Sequence, residues 1–108
     1  MDKGSDTLVA LEGSGVFCIN VLASEQQELS NKFAKKGPDK FNDVAFTPGF
    51  SSVPCIDGAL MSIQCGVHEI FDGGDHKIVV GKVEKIIHGD PDSITPLIFY
   101  RGKYAELT

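Results

Sequence analysis

No apolar run in this sequence approaches the roughly 20 residues that a membrane-spanning helix requires. Basic charge is also in short supply: 10 lysine and arginine residues face 15 aspartate and glutamate residues, for a formal net charge of -5. The basic clusters are no longer than Lys35-Lys36 and Lys82 with Lys85. Nucleic acids and anionic membranes are bound through a basic footprint, so neither is an expected partner. The opening residues, Met1-Asp2-Lys3-Gly4-Ser5-Asp6, are polar and acidic. A secretory leader needs a basic start and an apolar middle, so the expected location is the cytoplasm. Cysteine is scarce and odd in number, at Cys18, Cys55 and Cys65. Each lies in or beside an apolar stretch, which points to small buried hydrophobes rather than a disulfide framework. There is no repeat, low-complexity tract or linker.

What is present fits one soluble domain over residues 1–108, with 42% hydrophobic and 23% charged residues. Ser5-Asp6-Thr7 predicts the cap of a short helix carrying Leu8 and Leu11 and ending at Gly13. The run Val16 to Leu22 is short, apolar and β-rich, as in a strand buried on both faces. Ser24 with Gln27 predicts a capping box for a second helix, with Leu29 and Phe33 on one face and a stop at Gly37-Pro38. Asp39 to Asp57 reads as loop with short extended pieces. Period-two alternation from Ala59 to Val67, a break at Glu69, the Asp72-Gly73-Gly74-Asp75 turn and a return from His76 to His88 predict a long hairpin with a bulge. Pro96 to Tyr100 and Tyr104 to Leu107, turned by Arg101-Gly102, add a final pair of strands. The expected class is α+β, mostly β: antiparallel strands bent into a partial barrel, with two short helices.

Few residues point to chemistry. Cys65 and His68 have the spacing of a zinc pair, but residues three apart on a strand face opposite ways and no second pair follows, so no metal site is expected. Ser14 lies at a helix-to-strand turn, the reverse of a hydrolase nucleophile elbow. The segment Gly74-Asp75-His76 is explained as a hairpin tip except for its histidine. At a strand start, that ring is placed to donate a hydrogen bond to an anionic or redox-active ring.

In order along the chain stand Ser14-Gly15-x-Phe17-x-Ile19-Asn20-Val21-Leu22, Leu29-Ser30-x-x-Phe33-Ala34, Asp39-Lys40-Phe41, Gly74-Asp75-His76 and Pro96-Leu97-Ile98-Phe99-Tyr100-Arg101-Gly102-x-Tyr104. Together these motifs resemble the flavin reductase-like, FMN-binding split-barrel family, the reductase components of two-component flavin monooxygenases. The resemblance implies a homodimer that binds FMN or FAD and takes hydride from NADH or NADPH. It further implies that reduced flavin is supplied to a partner monooxygenase. It implies His76 as the catalytic histidine beside the flavin and nicotinamide. Lys3, Ser5 and Thr7 correspond to a flavin-phosphate segment, a role that suits a hydroxyl-rich helix start. Phe33, Phe41, Asp75 and Tyr104 complete the implied cofactor-binding set. Family members begin with about three further strands, so the chain reads as N-terminally truncated relative to them. The residues also leave open a non-catalytic flavin-binding module, a sheet-completing interaction module and an inactive remnant.

Overall fold

Ser5 caps the first helix, α1 (Asp6–Ser14), in the computed structural model, which describes residues 1–35, 43–90 and 92–105. The Ser5 Oγ accepts the Leu8 N–H at 3.3 Å, and Leu8 and Leu11 are the buried residues of the helix. The helix runs through Gly13 and stops two residues later than expected. Gly15 carries the left-handed backbone (φ 72), and its N–H returns to the Leu11 carbonyl at 2.9 Å.

Strand β1 (Val16–Val21) follows. Strands β4 (Met61–Gly73) and β5 (His76–His88) form the predicted hairpin, and β4 pairs on its other side with β1, giving the antiparallel order β1-β4-β5. Bulges interrupt the hairpin register between Gln64 and Cys65 and between Val67 and Glu69, the second at the expected break. Within the loop expected over Asp39 to Asp57, β2 (Phe46–Pro48) and β3 (Pro54–Ile56) pair as a small hairpin through a 3-10 turn at Phe50–Ser52. The final pair, β6 (Ile98–Tyr100) and β7 (Lys103–Ala105), turns at Arg101 and Gly102, both at positive φ (53 and 79), as a tight antiparallel hairpin requires.

Helix α2 (Gln27–Ala34) is entered through a 3-10 turn, Ser24–Gln26. The expected Ser24–Gln27 box is replaced. Gln26 Oε1 accepts the Ala23 N–H at 2.8 Å, and the Ser24 hydroxyl instead meets Thr95 Oγ1 at 2.7 Å. The Gly37-Pro38 stop lies outside the described residues.

The sheet buries its polar side. In register across β1 and β4, Cys18 faces Gln64 and Asn20 faces Ser62. Gln64 and Ser62 are 0% and 5% exposed, because the β2–β3 hairpin lies over them. On the opposite face Ile19, Ile63 and Ile86 form a row across all three strands, yet Ile19 and Ile86 are 49% and 50% exposed. Strand β1 is an edge strand among the described residues, and with Ile19 half-exposed the expectation of burial on both faces does not hold. The architecture is the expected one: mostly β, two α-helices and antiparallel sheets of three, two and two strands, with no closed barrel among the described residues. No helix among these residues is long and apolar enough to cross a membrane.

Candidate functional site

A cleft of 590 Å³ opens along the edge of β1 that has no paired strand among the described residues, within the size range of small-molecule sites. Helix α1 gives it Thr7, Ala10, Leu11 and Ser14; β1 gives Val16, Phe17, Cys18 and Asn20, with Leu22 just beyond its end; α2 gives Phe33; β3 gives Pro54 and Ile56. The walls are chiefly apolar, with two hydroxyls, a thiol and an amide as the polar points. Such a slot is suited to a flat aromatic ring with few hydrogen-bonding edges.

Asn20 is the polar joint of the cleft. Its Nδ2 donates to the Pro54 carbonyl at 3.1 Å, and its Oδ1 accepts the Ile56 N–H at 2.9 Å and the Ser62 hydroxyl at 2.7 Å. Cys18 Sγ lies 4.0 Å from Cys55 Sγ. Burial, and then the neighbouring Cys55, push the Cys18 thiol up to about 12, so it is a protonated lining group at neutral pH. Burial, and then Glu84, also raise the Cys65 thiol. All three cysteines are free, as the sequence led us to expect.

The predicted site residues divide into separate groups. Thr7 and Phe33 line the cleft. Ser5 is occupied as the α1 cap. Lys3, Asp75 and His76 gather at the β4–β5 hairpin tip. There the Lys3 N–H donates to the Asp75 carbonyl at 3.1 Å, Lys3 Nζ pairs with Asp72 at 2.5 Å, and Asp2 bridges His76. His76 Nδ1 lies 2.7 Å from Asp75 Oδ1, and the His76 side chain is 53% exposed. A carboxylate on one ring nitrogen orients the imidazole of this half-exposed side chain. The Tyr104 hydroxyl lies 3.0 Å from Ser30 Oγ and 2.8 Å from Asn31 Oδ1, so Tyr104 braces α2 rather than lining the cleft. Phe41 lies outside the described residues. Cys65 is buried and His68 exposed, and no metal-binding cluster occurs among the described residues.

Sequence reasoning passed over Asn20, Cys18 and Phe17 as site residues. The available signal was an asparagine inside an otherwise apolar strand, which a buried site tolerates only when its amide is satisfied.

The fold defines an open antiparallel α+β domain with an apolar cleft along one sheet edge. The chain belongs to the flavin reductase like domain family, whose match spans residues 1–108. It is 42% identical over 102 residues to the reductase subunit of a flavin-dependent monooxygenase from Mycobacterium tuberculosis, a match covering 94% of this chain and 54% of that protein. Its fold is similar to nitrilotriacetate monooxygenase component B from Mycobacterium thermoresistibile (41% identity, TM-score 0.92), with 99% of this chain and 60% of that one covered. It is also similar to the NADH:FAD oxidoreductase of Streptomyces globisporus solved with NAD and FAD fragments (26% identity, TM-score 0.91), with 100% and 65% covered. The chain thus spans about half the length of the curated relatives it matches.

Proposed function

We propose that this chain is the flavin-binding part of a cytoplasmic NAD(P)H:flavin oxidoreductase that supplies reduced FMN or FAD to a partner monooxygenase. The observation that carries this reading is the cleft on the β1 edge, bounded by Phe17, Phe33, Leu11 and Pro54, in a chain of this family. Its residues fit the ring half of a flavin: apolar faces, with the Thr7 and Ser14 hydroxyls as edge partners. They fit the phosphate half less fully, since the Ser5 Oγ already caps α1 and Lys3 is paired with Asp72. A bound flavin supplies the acceptor for hydride from NADH or NADPH; the protein supplies its placement. His76, oriented by Asp75 at the hairpin tip, is the group assigned to the nicotinamide side.

Self-association is part of the same reading. The Ile19–Ile63–Ile86 row leaves apolar sheet surface open to water, and a second copy of the chain is the proposed cover, making a homodimer.

The test is FMN and FAD titration of the purified chain, followed by NADH and NADPH oxidation with added flavin. Saturable binding with nicotinamide turnover supports the reading. Binding without turnover reduces the chain to a flavin-holding module, and no binding removes the reading.

A further inference from the structure

We infer that Asn20 is a positioning residue for the flavin ring: its amide reaches from β1 to β3 and fixes the Pro54–Ile56 wall of the cleft. The inference rests on the proposed reading of the cleft as the ring site. Strands β1 and β3 belong to different sheets and share no backbone ladder. The Asn20 side chain takes the place of one. Its Nδ2–H meets the Pro54 carbonyl and its Oδ1 meets the Ile56 N–H, two residues along the same strand. This is the donor–acceptor pattern with which one residue of a parallel strand, through its own N–H and C=O, pairs with the residues before and after its neighbour. The Ser62 hydroxyl, donating to the same Oδ1 from β4, holds the amide in the one orientation that satisfies both partners.

Pro54 and Ile56 line the same cleft as the β1 residues and α1, so the amide that ties them to β1 fixes how far this wall stands from β1 and with it the slot width. A slot for a planar ring is sensitive to this width. An ångström of drift replaces contact on one ring face with a gap and forfeits much of the dispersion attraction. Of the nearby polar groups, Ser62 reaches Asn20 only through Oδ1, and Cys18 makes a long contact of 3.8 Å to the same atom. Neither offers the Pro54 carbonyl a donor in place of Nδ2.

The discriminating variant is N20D. Its carboxylate keeps the acceptor for Ile56 and Ser62 but sets a second oxygen against the Pro54 carbonyl. Protonation restores a donor there. FMN affinity is measured for the wild-type chain and N20D between pH 5 and pH 8, with far-ultraviolet circular dichroism as the fold check. Visible circular dichroism of bound FMN reports the surroundings of the ring. The expected result is FMN binding at least tenfold weaker in N20D at pH 8, closing to within about threefold of wild type at pH 5, with the bound-flavin spectrum recovering in parallel. Wild-type binding with an unchanged N20D at pH 8 overturns the proposal alone, as does a loss that is the same at both pH values. Absence of FMN binding by the wild-type chain overturns both the proposal and the reading beneath it. Should N20D be unfolded at pH 8, N20A decides: tenfold weaker binding with no recovery in acid is expected, and wild-type affinity overturns the proposal.

Discussion

The ring of Phe17 occupies the space that a β-carbon on Gly81 would need. Phe17 pairs in register with Cys65 on β4, and Gly81 stands on the far strand β5 opposite Val67. The aromatic ring therefore crosses the central strand and rests on bare backbone. Phe17 also lines the cleft, so the size of residue 81 is coupled to the shape of the site.

Gly81→Ala is accordingly expected to displace Phe17, because the contact beneath the new methyl is a rigid ring in a packed position. Overpacking of this kind costs about 1–3 kcal/mol. Urea unfolding of the variant is the measurement, with FMN affinity followed in parallel. A variant as stable as wild type with unchanged affinity would show that Phe17 moves freely.

His76→Ala is expected to leave stability within about 0.5 kcal/mol of wild type, as for exposed positions in general. The His76 side chain is 53% exposed and its Asp75 partner 91% exposed, so little packing is lost. If the nicotinamide assignment is right, hydride transfer slows or the KM for NADH rises at unchanged folding. A variant that melts much lower but keeps full activity per folded molecule makes His76 a structural residue.

The Cys18 thiol predicts a loss of stability in alkali. Burial, with Cys55 beside it, raises its folded-state value from the ordinary 9.0 to about 12. The unfolded chain releases this proton first. The folded state thus holds more protons above pH 9, and stability falls as pH rises from there toward 12. Cys18→Ala removes this component, so the difference in unfolding free energy between wild type and variant is constant below pH 8 and shrinks or reverses between pH 9 and pH 10.5. Native-state alkylation of Cys18 at pH 8 is slow for the same reason. Rapid alkylation of folded protein would contradict the assignment.

Tyr104→Phe removes the hydroxyl that lies against Ser30 and Asn31 on α2 while keeping the edge-on contact with Phe99, whose ring centroid is 5.1 Å away. A lost hydrogen bond of this kind costs about 0.5–1.5 kcal/mol. Thermal unfolding checks this. Flavin affinity changes only as far as α2 carries Phe33 with it. A large affinity loss with unchanged stability would instead place Tyr104 at the ligand.

Ile86→Glu tests the exposed isoleucine row. A charge in the middle of a dimer-buried apolar surface is costly, whereas at a half-exposed monomer surface it is tolerated. Sedimentation is expected to show wild-type self-association at micromolar concentration and a shift of the variant toward monomer. A folded wild-type monomer at that concentration counts against the homodimer.

The two helices, β1, the long hairpin and the final strand pair were legible in the sequence, whereas the pairing of β2 with β3 was not, and the reason is locality. The Ser5 cap, the Gly74 and Gly102 turns and the alternation across the long hairpin all act within a few residues, so each is readable without knowing what lies opposite. Small local errors, such as the helix end at Gly15 instead of Gly13, arose because both glycines permit the left-handed turn and tertiary geometry selected one. The sequence also carried the family, through motifs spread over most of the chain. The tertiary structure alone decided which sheet face is covered. Alternation marks two faces without saying which is inside, and the side bearing Asn20, Ser62 and Gln64 is the buried one because the β2–β3 hairpin lies over it, bonding to both ends of the Asn20 amide and to Gln64 Oε1 while Gln64 Nε2 stays unpartnered. It also decided the cleft. Asn20 meets Pro54 across 34 residues and Ile56 across 36, separations at which no propensity or spacing rule operates. Those contacts exist only once strand pairing has brought the two segments together.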